Sequence, residues 1–422
     1  MKIGLRLGCV FATLLVSVTT ACSHPNKTIT GSWDPKGAAA YLDQREVTWM
    51  GWPGSARDHG TFCVACHTGL PYALSRPALR RALGEQGPSI NERRLLENVT
   101  KRVLLWNQVE PFYKDGPTYH DNKSAQSRGT ESVLNALILA TADAQTGVLS
   151  NPTRIAFDNM WALQETAGEE RGAWAWLQFE LEPWEAEDSQ YYGVTLAAIA
   201  VGTAPENYRL SPEIQNGVTM LREYLNREYA TQSTMNRVAL LWASAKLPGL
   251  LDPEQQKRII KEVANAQQSD GGWRLSSLAW PDGWGLRSFA RTRLRADWTS
   301  QDRRSDGYAT GLISLALQQA GMPPTDPTMK RALAWLENNQ SKEEGCWPSY
   351  SVNQRRSQDS NVGHFMRDAA TAYAVLALTQ SGGASSLGSS GGNASDRSHP
   401  TGSPSEVKMA NRGDSVQSST RK

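Results

Sequence analysis

Two stretches near the end of the chain decide the fold: Ser305-Asp306-Gly307-Tyr308-Ala309-Thr310-Gly311-Leu312-Ile313-Ser314-Leu315-Ala316-Leu317 and Arg367-Asp368-Ala369-Ala370-Thr371-Ala372-Tyr373-Ala374-Val375-Leu376-Ala377-Leu378. Each places a carboxylate one residue in and continues with small and apolar residues on nearly every face. A helix that is apolar all round is a buried one. The same kind of element recurs at 129–142, 188–201 and 235–245. Each copy follows a more amphipathic stretch, at 91–106, 152–164, 212–229, 253–267 and 328–339, and several of these open with a proline in the first turn after Ser, Asn or Asp. The unit is an outer helix, a loop and an inner helix.

A sixth pair stands at the beginning. Residues 37–44 read as an outer helix, and Cys66-His67-Thr68-Gly69-Leu70 aligns with Tyr308 to Leu312 through the shared Thr-Gly-Leu. Strand-like alternation is almost absent between 38 and 379. The expectation is an all-α chain whose six helical hairpins close into an (α/α)6 toroid, or barrel, over 36–380. The inner helices form its barrel and the outer helices its wall.

Two outer helices end in a shared signature. Gln267-Gln268-Ser269-Asp270-Gly271-Gly272-Trp273 is a QxxxGxW, and Gln340 followed by Gly345-Cys346-Trp347 is a copy one residue longer. Gln164 running to Gly172-Ala173-Trp174 is a degenerate third. These resemble the QW repeats of squalene-hopene and oxidosqualene cyclases, and 36–380 resembles one toroid of the terpenoid cyclase and prenyltransferase superfamily. On that resemblance the Gln amide bonds backbone at the helix end and the Trp covers the seam to the next repeat. An isoprenoid or other apolar ligand in the cavity is also implied. The cyclases start their reaction with an Asp-x-Asp-Asp acid, and the nearest match here is Glu185-Ala186-Glu187-Asp188. Of the zinc-binding Asp, Cys and His of protein prenyltransferases, only Asp306 and His364 have counterparts.

Cys63-Val64-Ala65-Cys66-His67 is a CxxCH, which in an exported protein reads as a covalent attachment site for haem c. Cys63 and Cys66 would hold the porphyrin, and His67 would lie under the iron as proximal ligand. Its rivals are a redox disulfide, a zinc site using Cys66 with distant histidines, and a chance match. No Met lies between His67 and Asn159, so His120 is the first candidate for the opposite iron ligand, followed by His59, Met50 and His364.

The address agrees with the motif. Lys2 and Arg6, an apolar run from Leu7 to Val18 and Thr19-Thr20-Ala21 form a signal peptide over 1–21. Cys22 is either a lipid-anchored first residue or the start of an ordinary mature chain, with 22–35 as linker. Such a protein is exported, periplasmic or a membrane-anchored lipoprotein of a bacterium. The net charge of +2 gives no sign of nucleic acid. Fifteen Trp against seven Phe call for a repeat or an aromatic cavity. From 381 to 422 the chain is Gly, Ser, Asn and Pro with scattered charge, composition expected of a disordered tail.

Asp188, Asp306 and Asp368, with Glu131, fall at inner-helix N-termini. They read as helix caps or as catalytic acids converging on one cavity, and the two roles are compatible. Between Trp273 and Asp306 a long loop carries Arg274, Arg287, Arg291, Arg293, Arg295, Arg303 and Arg304 with Trp280, Trp284 and Trp298. It is either solvated surface or a lid that neutralises haem propionates. Three functions follow: a haem redox protein exchanging electrons with a ligand or a redox partner protein, an isoprenoid cyclase-like enzyme, or a toroid that binds an apolar ligand without chemistry.

Overall fold

Caps determine where the helices begin. In the computed structural model, which describes residues 33–118, 122–186, 188–279, 304–352, 356–357 and 359–388, Asp34 caps α1 (Pro35–Gly51). Ser89 and Glu92 form a reciprocal capping box on α3 (Ile90–Leu104), and Asp252 and Gln255 form another on α9 (Pro253–Ala266). Ser150 caps α5 (Asn151–Ala162), Ser233 caps α8 (Thr234–Lys246) and Asp326 caps α12 (Pro327–Asn338). The other helices are α2 (Gly69–Leu83), α4 (Lys123–Asp143), α6 (Ser189–Thr203), α7 (Gln215–Glu228), the four-residue α10 (Leu275–Leu278), α11 (Gly307–Gln319) and α13 (Phe365–Gly388). One compact unit runs to Ser381. No helix among the described residues is long and apolar enough to cross a membrane.

Among the described residues the protein is all-α apart from one small ribbon, β1 (Ala56–Arg57) paired antiparallel with β2 (Thr61–Phe62), and a single antiparallel bridge between Leu181 and Glu185. The two helix classes expected from the sequence are present. From Tyr191 to Val201 every residue of α6 is buried, and so is every residue of α11 from Gly307 to Leu317, whereas α9 buries only Ile259 and Val263. Among the inner helices α2 packs on α4, α4 on α6, α6 on α8 and α8 on α11. Gln318 of α11 donates to the carbonyl of Ala377 in α13, and Thr68 at the head of α2 donates to Asp368 of α13. The succession of neighbours therefore returns to its start.

The QxxxGxW stretches hold successive outer helices together, and all three copies do it with the same atoms. Gln164, Gln267 and Gln340 each donate through Nε2 to the carbonyl of their own motif glycine. Each also reaches the next outer helix, at the carbonyls of Gly217, Thr328 and Asp34 respectively. The indoles of Trp174, Trp273 and Trp347 donate back to Met160, Val263 and Leu336 in the helix just left. The motif glycines have φ of 98°, 95° and 78° and press on the backbone of the next outer helix. The last copy joins α12 to the first helix, since Asp34 also returns an N–H to Gln340 at 2.6 Å. A threonine of the inner helix completes each junction: Thr130, Thr310 and Thr371 accept from the backbone N–H of Leu177, Trp273 and Trp347.

Helix boundaries differ from the sequence reading in several places; α4 starts at Lys123 and not 129, and α13 runs to Gly388, past the expected start of the tail at 381. The first outer helix reaches Gly51 instead of ending at 44, because Leu42, Arg45, Glu46 and Trp49 continue its buried stripe. Helix α2 starts at Gly69, although the Thr-Gly-Leu alignment with α11 places its start near Cys66. The N–H of Leu70 bonds to the carbonyl of Ala65, five residues back, and wraps Cys66-His67-Thr68 into a wide turn ahead of the helix.

Candidate functional site

The ribbon delivers the CxxCH to the head of α2. Asn98 of α3 imitates a neighbouring strand, accepting from the N–H of Phe62 and donating to its carbonyl, and the N–H of Cys63 bonds to the carbonyl of Ser55. The Trp49 indole donates to the carbonyl of Cys63 at 2.7 Å. Cys63 and Cys66 are free thiols, 5% and 1% exposed. Burial pushes the Cys63 thiol up to about 12 and the Cys66 thiol well above its ordinary value, so both are protonated.

His67 is clasped by aromatic rings. Phe365 stacks on it with centroids 3.5 Å apart, Trp49 meets it edge-on at 5.2 Å and Trp184 lies at 5.7 Å. Burial, with the positive charges of Arg45 and Arg356, holds its pKa well below the usual histidine range, so the ring is neutral. Its Nδ1 lies 2.9 Å from Thr68 Oγ1, which donates its proton to Asp368 Oδ2 at 2.8 Å. A hydroxyl has one proton to give, so Thr68 accepts from Nδ1–H and the lone pair of His67 stands on Nε2. Asp368 takes a bidentate pair from Arg45 at 2.9 and 3.2 Å and a third donor, the hydroxyl of Tyr41, at 2.8 Å. Burial raises its carboxyl from the ordinary value while these donors pull it back.

Two buried carboxyls that the sequence reading passed over lie beside the motif. Glu185 hydrogen-bonds to Cys66, and burial raises it to about 7 against the pull of that bond and of Lys123. Glu46 of α1 is fully buried, and neither carboxyl oxygen has a hydrogen-bond partner among the described residues. Burial, then the nearby charges of Asp368 and Asp43, raises it to about 8. The signal for Glu46 was present: it falls on the stripe of Leu42 and Trp49 at helical spacing. Below Cys66 the phenols of Tyr192 and Tyr373 meet at 3.1 Å, and Tyr308 sits edge-on to Tyr373.

Of the four carboxylates expected at inner-helix heads, Asp188, Asp306 and Asp368 stand there, whereas α4 begins at Lys123 and leaves Glu131 more than two turns inside it; they have separate partners. Asp306 caps α11 through Ala309 N–H at 3.0 Å, takes Leu275 N–H at 2.6 Å on its other oxygen and accepts from Ser349. Burial raises it to about 6 against those donors. Glu131 is buried in an ion pair with Arg102. Asp188 is half-buried ahead of α6, makes no side-chain cap bond, and accepts from Asn236 through its carbonyl. Of the candidate acids only Asp368 joins the network of His67. His120 lies outside the described residues, as do 1–32, the tail from 389 and the loop arginines from Arg287 to Arg303. His364 bonds Ser360 through Nδ1 and immediately precedes Phe365, whereas His59 is exposed beside Asp58.

The donor types are those a covalent c-type haem would need: two thiols outside any disulfide and a neutral imidazole with Nε2 free of its proton, its other nitrogen anchored by a hydroxyl and a carboxylate. Among the described residues no group of three or more His, Cys, Asp or Glu side chains is arranged to hold a metal ion. No family model matches the chain, and no curated protein matches it. Among solved structures it is similar to a glycosidase variant at 13% identity and a TM-score of 0.45, over 82% of this chain and 98% of the other. A glycosidase variant in complex with glucose matches at 12% and 0.45, over 82% and 97%. A polysaccharide lyase matches at 11% and 0.34, over 85% and 92%. Likeness at this level assigns no chemistry to this chain.

Proposed function

We propose that the chain is an exported toroid of six helical hairpins, similar in plan to one squalene-cyclase toroid, that carries one covalent haem at the head of its first inner helix and serves in electron transfer. The observation that supports it is the Asp368–Thr68–His67 chain, which leaves Nε2 as the bare nitrogen. Cys63 and Cys66 would hold the porphyrin, each S–H adding across one vinyl C=C so that sulfur bonds one carbon and the hydrogen goes to the other. When bound, the haem supplies a one-electron couple. Asp368, with Arg45 and Tyr41 behind it, fixes the imidazole through Thr68, and Trp49, Trp184 and Phe365 keep water from its faces. The role as acid in a cyclase has less support, because Asp306 spends its oxygens on two backbone N–H groups and a hydroxyl.

The test is an alkaline pyridine spectrum of protein made in a host that matures c-type haem. A haem that stays with the denatured chain, and is lost in Cys63→Ala/Cys66→Ala, is expected. A chain that leaves that host without covalent haem overturns the proposal.

A further inference from the structure

We infer that the cleft between α2, α3 and α4, which runs along α2 from Tyr72 to Arg81, binds a long-chain fatty acid. The cleft holds about 500 Å³, within the range of small-molecule sites. Its walls are apolar: Pro77 of α2, Leu95 and Leu96 of α3, Ile138 and Ala142 of α4. Pro77 lies inside α2, where its ring offers no N–H to the carbonyl of Ala73, and both residues line the cleft.

The charge at the cleft fixes the class of ligand. Arg80 gives Nε to Glu92 at 3.3 Å and Nη2 to Gln145 at 2.7 Å. Arg81 is exposed and has no ion pair among the described residues. Two guanidiniums against one carboxylate leave a single positive charge beside an apolar slot, the complement of one carboxylate on one alkyl chain. Both arginines also suit the C-terminal dipole of α2. That accounts for their sign but not for the apolar walls beside them. A slot walled by three helices suits a single chain better than a flat bilayer surface.

The experiment is titration of the full-length protein with palmitate and with hexadecanol, read by displacement of a fluorescent fatty acid. Saturable binding of one palmitate is expected. Arg81→Glu, an exposed change, should weaken palmitate about tenfold and leave hexadecanol unchanged, while Ala142→Phe, which fills the slot, should weaken both. Absence of saturable binding, indifference to Ala142→Phe, or binding only to fatty-acid-containing vesicles overturns the inference. Haem-loaded and haem-free protein should bind alike, so the result is independent of the proposed redox role.

Discussion

Thr68 gives its one hydroxyl proton to Asp368, 300 residues further along the chain, and by doing so determines which nitrogen of His67 stays bare. Among the described residues the hydroxyl is the one hydrogen-bonded link between the motif and the carboxylate, so it can be cut without touching either. Thr68→Val is expected to free the imidazole N–H from its acceptor, reduce electron donation through the ring and raise the midpoint potential of the haem-loaded protein. Thr68→Ser should keep the wild-type value. A redox titration of the three proteins reads this, and equal potentials in all three would remove the relay from the proposal. The Val variant should also lose about 1–3 kcal/mol of stability, because Asp368 loses a buried donor.

Glu46 gives the fold a pH dependence of known sign. Its carboxyl is raised to about 8 in the folded chain, so between its ordinary value and about 8 the unfolded chain has lost a proton that the folded chain retains. Stability from this group is complete below about 4.5 and falls by up to about 1.4 kcal/mol per pH unit until about pH 8, after which it is level. Glu46→Gln removes that slope. Urea unfolding at pH 5 and pH 8 should show the variant gaining on wild type at the higher pH; parallel behaviour of the two proteins would contradict the assignment.

The junction between the last and first outer helices can be probed at Gly345. Its φ is 78°, and a Cβ there would stand 2.3 Å from the carbonyl oxygen of Gly37, which is backbone and has no rotamer to change. Gly321 has φ 92° with nothing within 4 Å of the same atom. Gly321→Ala should therefore cost only the backbone strain, about 1 kcal/mol, and Gly345→Ala more than about 2 kcal/mol. Thermal unfolding compares the two, and equal losses would show that the close approach is relieved without cost.

Thiol chemistry offers a third kind of check. In folded protein without haem, Cys63 and Cys66 should resist iodoacetamide and react only after unfolding, because the reactive thiolate is suppressed by burial. Rapid labelling of either residue in the native protein would mean that the site is open to solvent.

The hairpins were legible because an inner helix such as 305–317 has no polar face, and the QxxxGxW copies were legible because the spacing of Gln, Gly and Trp is itself the junction. Even the degenerate copy at Gln164 makes the same bonds as the regular one. The site was less so. Cys63, Cys66 and His67 declare their chemistry by type, but Asp368 was visible only as a cap or a cavity acid, since nothing local tells that Arg45 and Tyr41 of α1 converge on it from more than 300 positions away. Glu185 opened the quoted Glu-Ala-Glu-Asp stretch, but only Asp188 was carried forward from it. Which of two neighbouring carboxylates faces Cys66 depends on the loop geometry before α6, not on spacing.

The link from Thr68 to Asp368 has a consequence for biogenesis. A chain made from its N-terminus presents Cys63 and Cys66 long before α13 exists. At ordinary elongation rates the intervening 300 residues take on the order of 15–60 s. For that interval the two thiols have no Phe365 beside them and no carboxylate behind the imidazole. The burial of the first hairpin's motif is thus completed only by the last hairpin to be made.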